Sequence, residues 1–234
     1  MATAKPASTV LLVRPDVKGG FEVLLTRRPS EMRFYGGFYV FPGGTIEPQD
    51  RSEDVLGRCR GLSAREAEEI LGSHLESDLA LAHWVAGIRE LFEEVGVILC
   101  TDENGVEVQS DGGGQERFEE RRRAIVAGSL DFGGFLAAEN LLIDLKRAAY
   151  FSHRVTPDGY PYRFDARFFL AALPEGQSAL ESSEEVEHSL WIAPGEALRE
   201  ANRSLPLMPP TTTMLQNLCG YESWESLAQK FSLR

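Results

Sequence analysis

Cysteine is scarce in this chain, with three residues in 234. Cys59, Cys100 and Cys219 are far apart and form no CxxC pair, which excludes a disulfide framework and a cysteine zinc site. Free thiols of this kind fit a reducing, cytoplasmic setting. Long apolar runs are also missing. The N-terminal run Val10–Val13 is too short for a signal-peptide core, and nothing later reaches the roughly 18 residues that span a bilayer. Positive charge is in deficit, with 24 Lys and Arg against 36 Asp and Glu and a net charge of −12. Such a chain has no bulk field for a phosphate backbone, so neither a nucleic-acid nor a membrane partner is expected. An anionic substrate would need a local reversal of sign.

The remaining composition is that of an ordinary globular chain, 43% hydrophobic and 26% charged. Val10–Val13, Phe21–Thr26 and Phe38–Phe41 read as short strands, the last stopped by Pro42-Gly43-Gly44. Ser63 and Glu66 form a capping box for a short helix that Gly72 ends. Ser77 would cap a longer helix running to Val95, with Gly96 as its terminator. Val97–Cys100, Ala148–Val155, Arg167–Leu173 and Leu190–Ala193 read as strands, and Asp102–Gln115 as a loop. Helices are expected over Glu116–Val126 and near Glu196–Ala201, Thr212–Leu218 and Trp224–Phe231. Mixed elements without βαβ alternation predict an α+β fold, taken as one domain over 1–234.

The densest chemical signal is Arg89-Glu90-Leu91-Phe92-Glu93-Glu94-Val95-Gly96-Val97. On a helix, positions 90, 93 and 94 share one face, and three crowded carboxylates call for a hard cation such as Mg²⁺ or Mn²⁺. Spacing alone does not decide this, because Glu66 and Glu69 share a helical face in the same way and are read as solvated. The upstream glycines do. Gly44, then Asp50 six residues on, then Arg89 through Val97, resemble the signature of the Nudix hydrolases. Two departures stand out. Asp50 occupies a position where glutamate is usual. The family's arginine also follows its leading glycine by fourteen residues, whereas here the separation is 45, an insertion of 31.

An interrupted signature of this kind is similar to the branch containing the peroxisomal-type coenzyme A diphosphatases and their bacterial relatives. Tyr150–Pro157, Arg163–Phe169, Trp191–Pro194 and Pro210-Thr211 resemble that branch too. Leu24-Leu25-Thr26, Arg28, Arg33, Gly37 and Phe41–Gly44 look like the element that marks coenzyme A pyrophosphatases, with Pro29 where a small residue is usual. The resemblance implies an α/β/α sandwich with a mixed sheet, a helical insertion within 45–88, and a C-terminal helical extension over 205–234. It implies metal-dependent hydrolysis of a small-molecule diphosphate, most specifically CoA or acyl-CoA. ADP-ribose, a nucleotide sugar or a dinucleotide is the alternative substrate, and a non-catalytic nucleotide-binding module the alternative of another class. Such modules typically lose the helix carboxylates that this chain keeps.

The implied metal ligands are Glu90, Glu93, Glu94 and the Gly44 carbonyl, with Arg89 orienting a neighbouring carboxylate. Arg27, Arg28 and Arg33 form a basic cluster suited to a polyphosphate, and Phe34 and Tyr35 could stack on a base or fill core. The general base is open between Glu93 and the late acids Glu184, Glu185 and Glu187. His74, His83, His153 and His188 lack any metal-binding spacing and are read as structural. The inserted and C-terminal helices are candidates for a lid or a homodimer interface.

Overall fold

A computed structural model of the chain describes residues 3–32, 35–72, 75–109, 114–201 and 203–234. The chain opens with a hairpin of β1 (Lys5–Pro15) and β2 (Phe21–Arg27). Its turn is closed by Asp16, whose Oδ1 accepts from the Lys18 and Gly20 amides. β3 (Tyr39–Val40) and β4 (Gly43–Thr45) follow, then a 3-10 turn (Pro48–Arg51), α1 (Glu53–Leu56), β5 (Cys59–Arg60) and α2 (Ala64–Leu71). The long α3 (Ser77–Val95) leads to β6 (Cys100–Thr101), α4 (Gln115–Val126), α5 (Phe132–Ala138) and β7 (Leu142–Asp144). The remainder is β8 (Ala149–Val155), β9 (Phe164–Ala172), β10 (His188–Ile192), α6 (Pro194–Glu200), α7 (Pro209–Leu218) and α8 (Trp224–Phe231).

The main sheet runs β10-β2-β1-β9-β8, with β3 on β2 and β4 on β1. It is mixed: β1 pairs parallel with β9 from Lys5↔Phe164 to Val13↔Ala172 and antiparallel with β2 and β4. Val10–Val13 is apolar without alternation because both faces of β1 are covered. Val10 and Leu12 join one core with Trp84, Ile88, Phe92, Phe135 and Phe169, while Leu11 and Val13 join the other with Met214, Leu215, Leu218 and Leu227. The three-layer α/β/α arrangement expected from the sequence is therefore observed.

The short elements β4, α1, β5 and β7 have no counterpart in the sequence reading, and three further differences have a clear physical cause. Ser77 is the first helical residue of α3 rather than its cap, and its hydroxyl donates to Glu68. Of Val97–Cys100, only Cys100 enters a ladder. The backbone of Ile98 is satisfied instead by the buried side chain of Gln177, which accepts from its amide and donates to its carbonyl, both at 2.9 Å. The α5 helix has no clear signal, because Gly133 and Gly134 dilute its pattern. It forms because Asp131 caps it and Phe135 stacks on Phe92, with centroids 4.8 Å apart.

α3 lies directly on the sheet. The Trp84 indole donates to the Ala148 carbonyl at 2.7 Å, and a Cβ at Gly87 would stand 3.1 Å from Val10 Cγ2. The helix ends at Gly96, which takes the left-handed φ of 73° and donates to the Phe92 carbonyl. Because Gly87 sets how closely α3 approaches β1, Gly87→Val is expected to overpack this contact. Urea denaturation should show a loss of about 1–3 kcal/mol, and an unchanged midpoint would contradict the packing.

Candidate functional site

The last two turns of α3 bring Arg89, Glu90, Glu93 and Glu94 over β4. Arg89 is 1% exposed and Asp50 is fully buried, and the two form a two-pronged ion pair at 2.8 and 3.0 Å. The second Arg89 Nη2 bond goes to the Thr45 carbonyl at 3.1 Å, and Nη1 donates to Glu90 Oε1 and Glu93 Oε2, both at 2.9 Å. Asp50 Oδ2 also accepts from the Glu47 amide. One guanidinium thus ties the segment after β4 to two carboxylates of α3. Burial alone would lower its pKa, but the bonds to Asp50 and the charges of Glu90 and Glu93 outweigh that and raise it. The shorter Asp50 meets the planar fork of arginine directly.

The glycines are required by proximity. A Cβ at Gly44 would fall 2.2 Å from Glu90 Oε1, and one at Gly43 would fall 2.4 Å from the Ser8 carbonyl. Gly43 N donates to Glu94 Oε1 at 3.3 Å. Ser8 is paired in register with both Gly44 and Arg167, so a polar row crosses the sheet beneath α3. His83, also on α3, hydrogen-bonds Ser8, and burial pushes its pKa down to about 4. It is a structural histidine, as the sequence implied.

All three carboxylates resist ionisation. Burial and the charges of Glu90 and Glu185 push Glu93 up to about 7, even though Arg89 opposes them. Glu90 is raised chiefly by burial, and Glu94 well above the ordinary range by burial and the charge of Glu90. The control pair behaves differently. Glu66 caps its own helix and has a lowered pKa, and Glu69 pairs with Arg65 in solvent. The same spacing yields two environments because only α3 presses its acids against a strand.

Among the described residues, no three His, Cys, Asp or Glu side chains already converge at coordinating distance. The donor set nevertheless suits a hard cation. It offers oxygen ligands only, mutual repulsion that a cation would relieve, and a cradle at Gly44 that a Cβ would fill. A cavity of about 290 Å³ lined by Phe92, Gly96, Phe118, Arg122 and Leu180 lies beside the end of α3, and none of the three carboxylates lines it.

The segment before β10 separates the late acids. Leu180 N donates to the Val95 carbonyl, Ser183 Oγ to the Glu94 carbonyl, and Arg122 binds both the Glu93 carbonyl and Glu184 at 2.7 Å. Glu187 pairs with Arg27 at 2.8 Å. Glu184 and Glu187 are therefore engaged. Glu185 is exposed, and its charge is felt by Glu90, Glu93 and Glu94. Sequence reasoning missed Arg122 and Ser183, because neither lies near a motif and both act on backbone carbonyls of α3.

Of the basic residues, Arg27 is held by Glu187 and by the Gly37 carbonyl. Arg28 Nε is buried without a hydrogen-bond partner among the described residues, and the Arg28 charge lowers the pKa of Glu94. Tyr35 is 44% exposed and meets Phe38 edge-on at 5.5 Å. Arg33 and Phe34 lie outside the described residues.

Comparison with known proteins bears on this arrangement. The family model described as the NUDT19 Nudix domain matches residues 2–218. The acyl-coenzyme A diphosphatase NUDT19 of Xenopus laevis is 26% identical over 86% of this chain and 60% of its own length. The human protein of the same name is 26% identical over 99% of this chain and 68% of its own length. The chain thus spans roughly two thirds of these relatives. The crystal structure of a Nudix hydrolase from Alicyclobacillus acidocaldarius is 27% identical, with a TM-score of 0.77 over 98% of this chain and 97% of that one. No helix among the described residues is long and apolar enough to cross a membrane. With the Arg89-centred carboxylates, the glycine strand and a family match across nearly the whole sequence, this chain belongs to the NUDT19 Nudix family.

Proposed function

We propose that this chain hydrolyses the diphosphate of coenzyme A or acyl-CoA, giving 3′-phospho-AMP and a free or acylated 4′-phosphopantetheine. The observation that carries the reading is the intact carboxylate cluster of α3 in a chain whose matched relatives are named acyl-coenzyme A diphosphatases. Hydrolases of this family generally need a divalent metal ion. Glu90, Glu93, Glu94 and the Gly44 carbonyl would hold Mg²⁺ or Mn²⁺. When bound, the ion supplies charge neutralisation at the diphosphate and activation of water.

The side chains divide the remaining work. Arg89 keeps Glu90 and Glu93 in fixed rotamers, so the site is organised before substrate arrives. Arg28 offers its unpartnered Nε–H to a phosphate oxygen and brings positive charge into an acidic site. Glu185 accepts the proton of the attacking water, being the late acid that holds no ion pair among the described residues and still acts on the cluster.

Turnover of a substrate panel with Mn²⁺ tests the reading. CoA should be hydrolysed in preference to ADP-ribose, and a wide preference for ADP-ribose would overturn the CoA assignment. Glu93→Gln and Glu94→Gln should each cost at least about 100-fold in kcat with the fold intact, and Glu185→Gln should also cost about 100-fold. Unchanged activity in Glu93→Gln and Glu94→Gln would sink the hydrolytic mechanism.

The carboxylates also predict a pH dependence of stability. Glu93 titrates near 7 when folded, against an ordinary glutamate value of 4.5. The folded state therefore holds its proton more tightly, and this contribution is complete below 4.5 and lost as pH rises toward 7. In chelator, the melting temperature should fall between pH 5 and 7.5. Glu93→Gln should flatten the slope, and Mg²⁺ should restore stability at the upper end. A chelator-treated protein whose wild-type and Glu93→Gln melting curves share one pH slope would contradict this.

A further inference from the structure

The loop after β2 carries the arginines, and the segment before β10 carries the late acids. A single residue joins them. Glu187 Oε1 accepts from Arg27 Nη1 at 2.8 Å, while its Oε2 accepts from Ser30 Oγ at 2.9 Å and from the Ser30 amide at 3.1 Å. Its own amide donates to the Arg27 carbonyl at 3.0 Å. Arg27 in turn reaches the Gly37 carbonyl with Nε, closing the far side of the loop. Arg28 sits between these ties, with its amide on the Phe38 carbonyl and its carbonyl accepting from the Gly37 amide. Gly36 packs closely on the start of the loop: a Cβ there would lie 2.6 Å from the Ser30 carbonyl and 2.7 Å from the Met32 carbonyl.

The other end of the acid-bearing segment is fixed to α3 through Ser183 on the Glu94 carbonyl and through Glu184 and Arg122 on the Glu93 carbonyl. A continuous chain of contacts therefore runs from the carboxylate helix, through residues 183–187, to the loop that presents Arg28. Glu185 lies inside that chain.

We propose that Glu187 is a positioning residue for substrate recognition: a latch that holds the Arg28-bearing loop at a set distance from the carboxylates of α3. This rests on the diphosphatase reading above. The latch contributes little to global stability, because Arg27 and Glu187 are 37% and 38% exposed and such pairs are weak. Its effect is on geometry. Without it, Arg28 must be ordered when substrate binds, and that entropy is drawn from the binding free energy. The reacting groups of α3 stay in place, because their bonds to Arg89 do not involve Glu187.

The test combines steady-state kinetics on CoA with amide hydrogen exchange. Glu187→Ala should raise KM about tenfold, with kcat within about twofold of the parent. The Ser30 amide should exchange faster and the melting temperature should stay put. Glu187→Gln keeps an acceptor oxygen for Ser30 and should recover part of the loss. Arg27→Ala should also raise KM, and the double variant should fall short of the sum of the two single losses, as expected for residues that share one contact. An unchanged KM alongside faster Ser30 exchange would overturn the proposal. So would a kcat about 100-fold lower at constant KM, which would place Glu187 in the chemistry instead. If the parent enzyme cleaves another diphosphate and not CoA, only the substrate assignment fails, and the latch is read from KM for that diphosphate.

Discussion

The site depends on one buried guanidinium. Arg89 spends every N–H it has on Asp50, the Thr45 carbonyl, Glu90 and Glu93. Three carboxylates and a carbonyl around one cation make the burial of Arg89 tolerable, and the same bonds set the rotamers of two acids in the proposed metal set. Removing Arg89 would leave Asp50 buried and unpaired as well as freeing Glu90 and Glu93. The glycine strand answers the same constraint from below, because only a residue without a Cβ allows Glu90 to lie where Arg89 holds it.

The acidity of the chain acquires a local meaning. Its net charge of −12 offers no general attraction for a diphosphate. Burial makes it costly for Glu90, Glu93 and Glu94 to be ionised together, and their pKa values are raised accordingly. On the proposed reading, a divalent ion held by these acids would relieve the repulsion, and Arg28, whose charge already acts on Glu94, would add positive charge for the substrate. Elsewhere acids are neutralised in pairs: Glu184 by Arg122, Glu187 by Arg27, Glu69 by Arg65. Of Glu184, Glu185 and Glu187, only Glu185 holds no ion pair among the described residues, which is why it is assigned a chemical role.

Much of this was legible from the sequence. The spacing of Arg89, Glu90, Glu93 and Glu94, the glycine pair, and the end of α3 at Gly96 are local properties, written in residues a few positions apart. The unbroken apolar run Val10–Val13 marked a strand, and the structure shows it covered on both faces. What was not legible depended on distant partners. Val97–Cys100 reads as a strand by propensity, yet Gln177, 79 residues away from Ile98, takes the place of a neighbouring strand. The α5 helix rests on Asp131 and on stacking with Phe92 rather than on its own glycine-rich pattern. The three late acids look equivalent in sequence, and only their partners separate them.

The sequence by itself determined the chemistry on offer: hard oxygen donors on one helical face, a glycine strand to receive them, and arginines upstream. The tertiary structure decided which groups remain available for that chemistry. It placed Arg122 on Glu184 and Arg27 on Glu187, left Arg28 Nε without a partner among the described residues, and raised the α3 acids while leaving Glu66 and Glu69 in solvent. The reason is physical. Helical spacing fixes which side chains share a face, but desolvation and pairing depend on what the rest of the chain packs against that face.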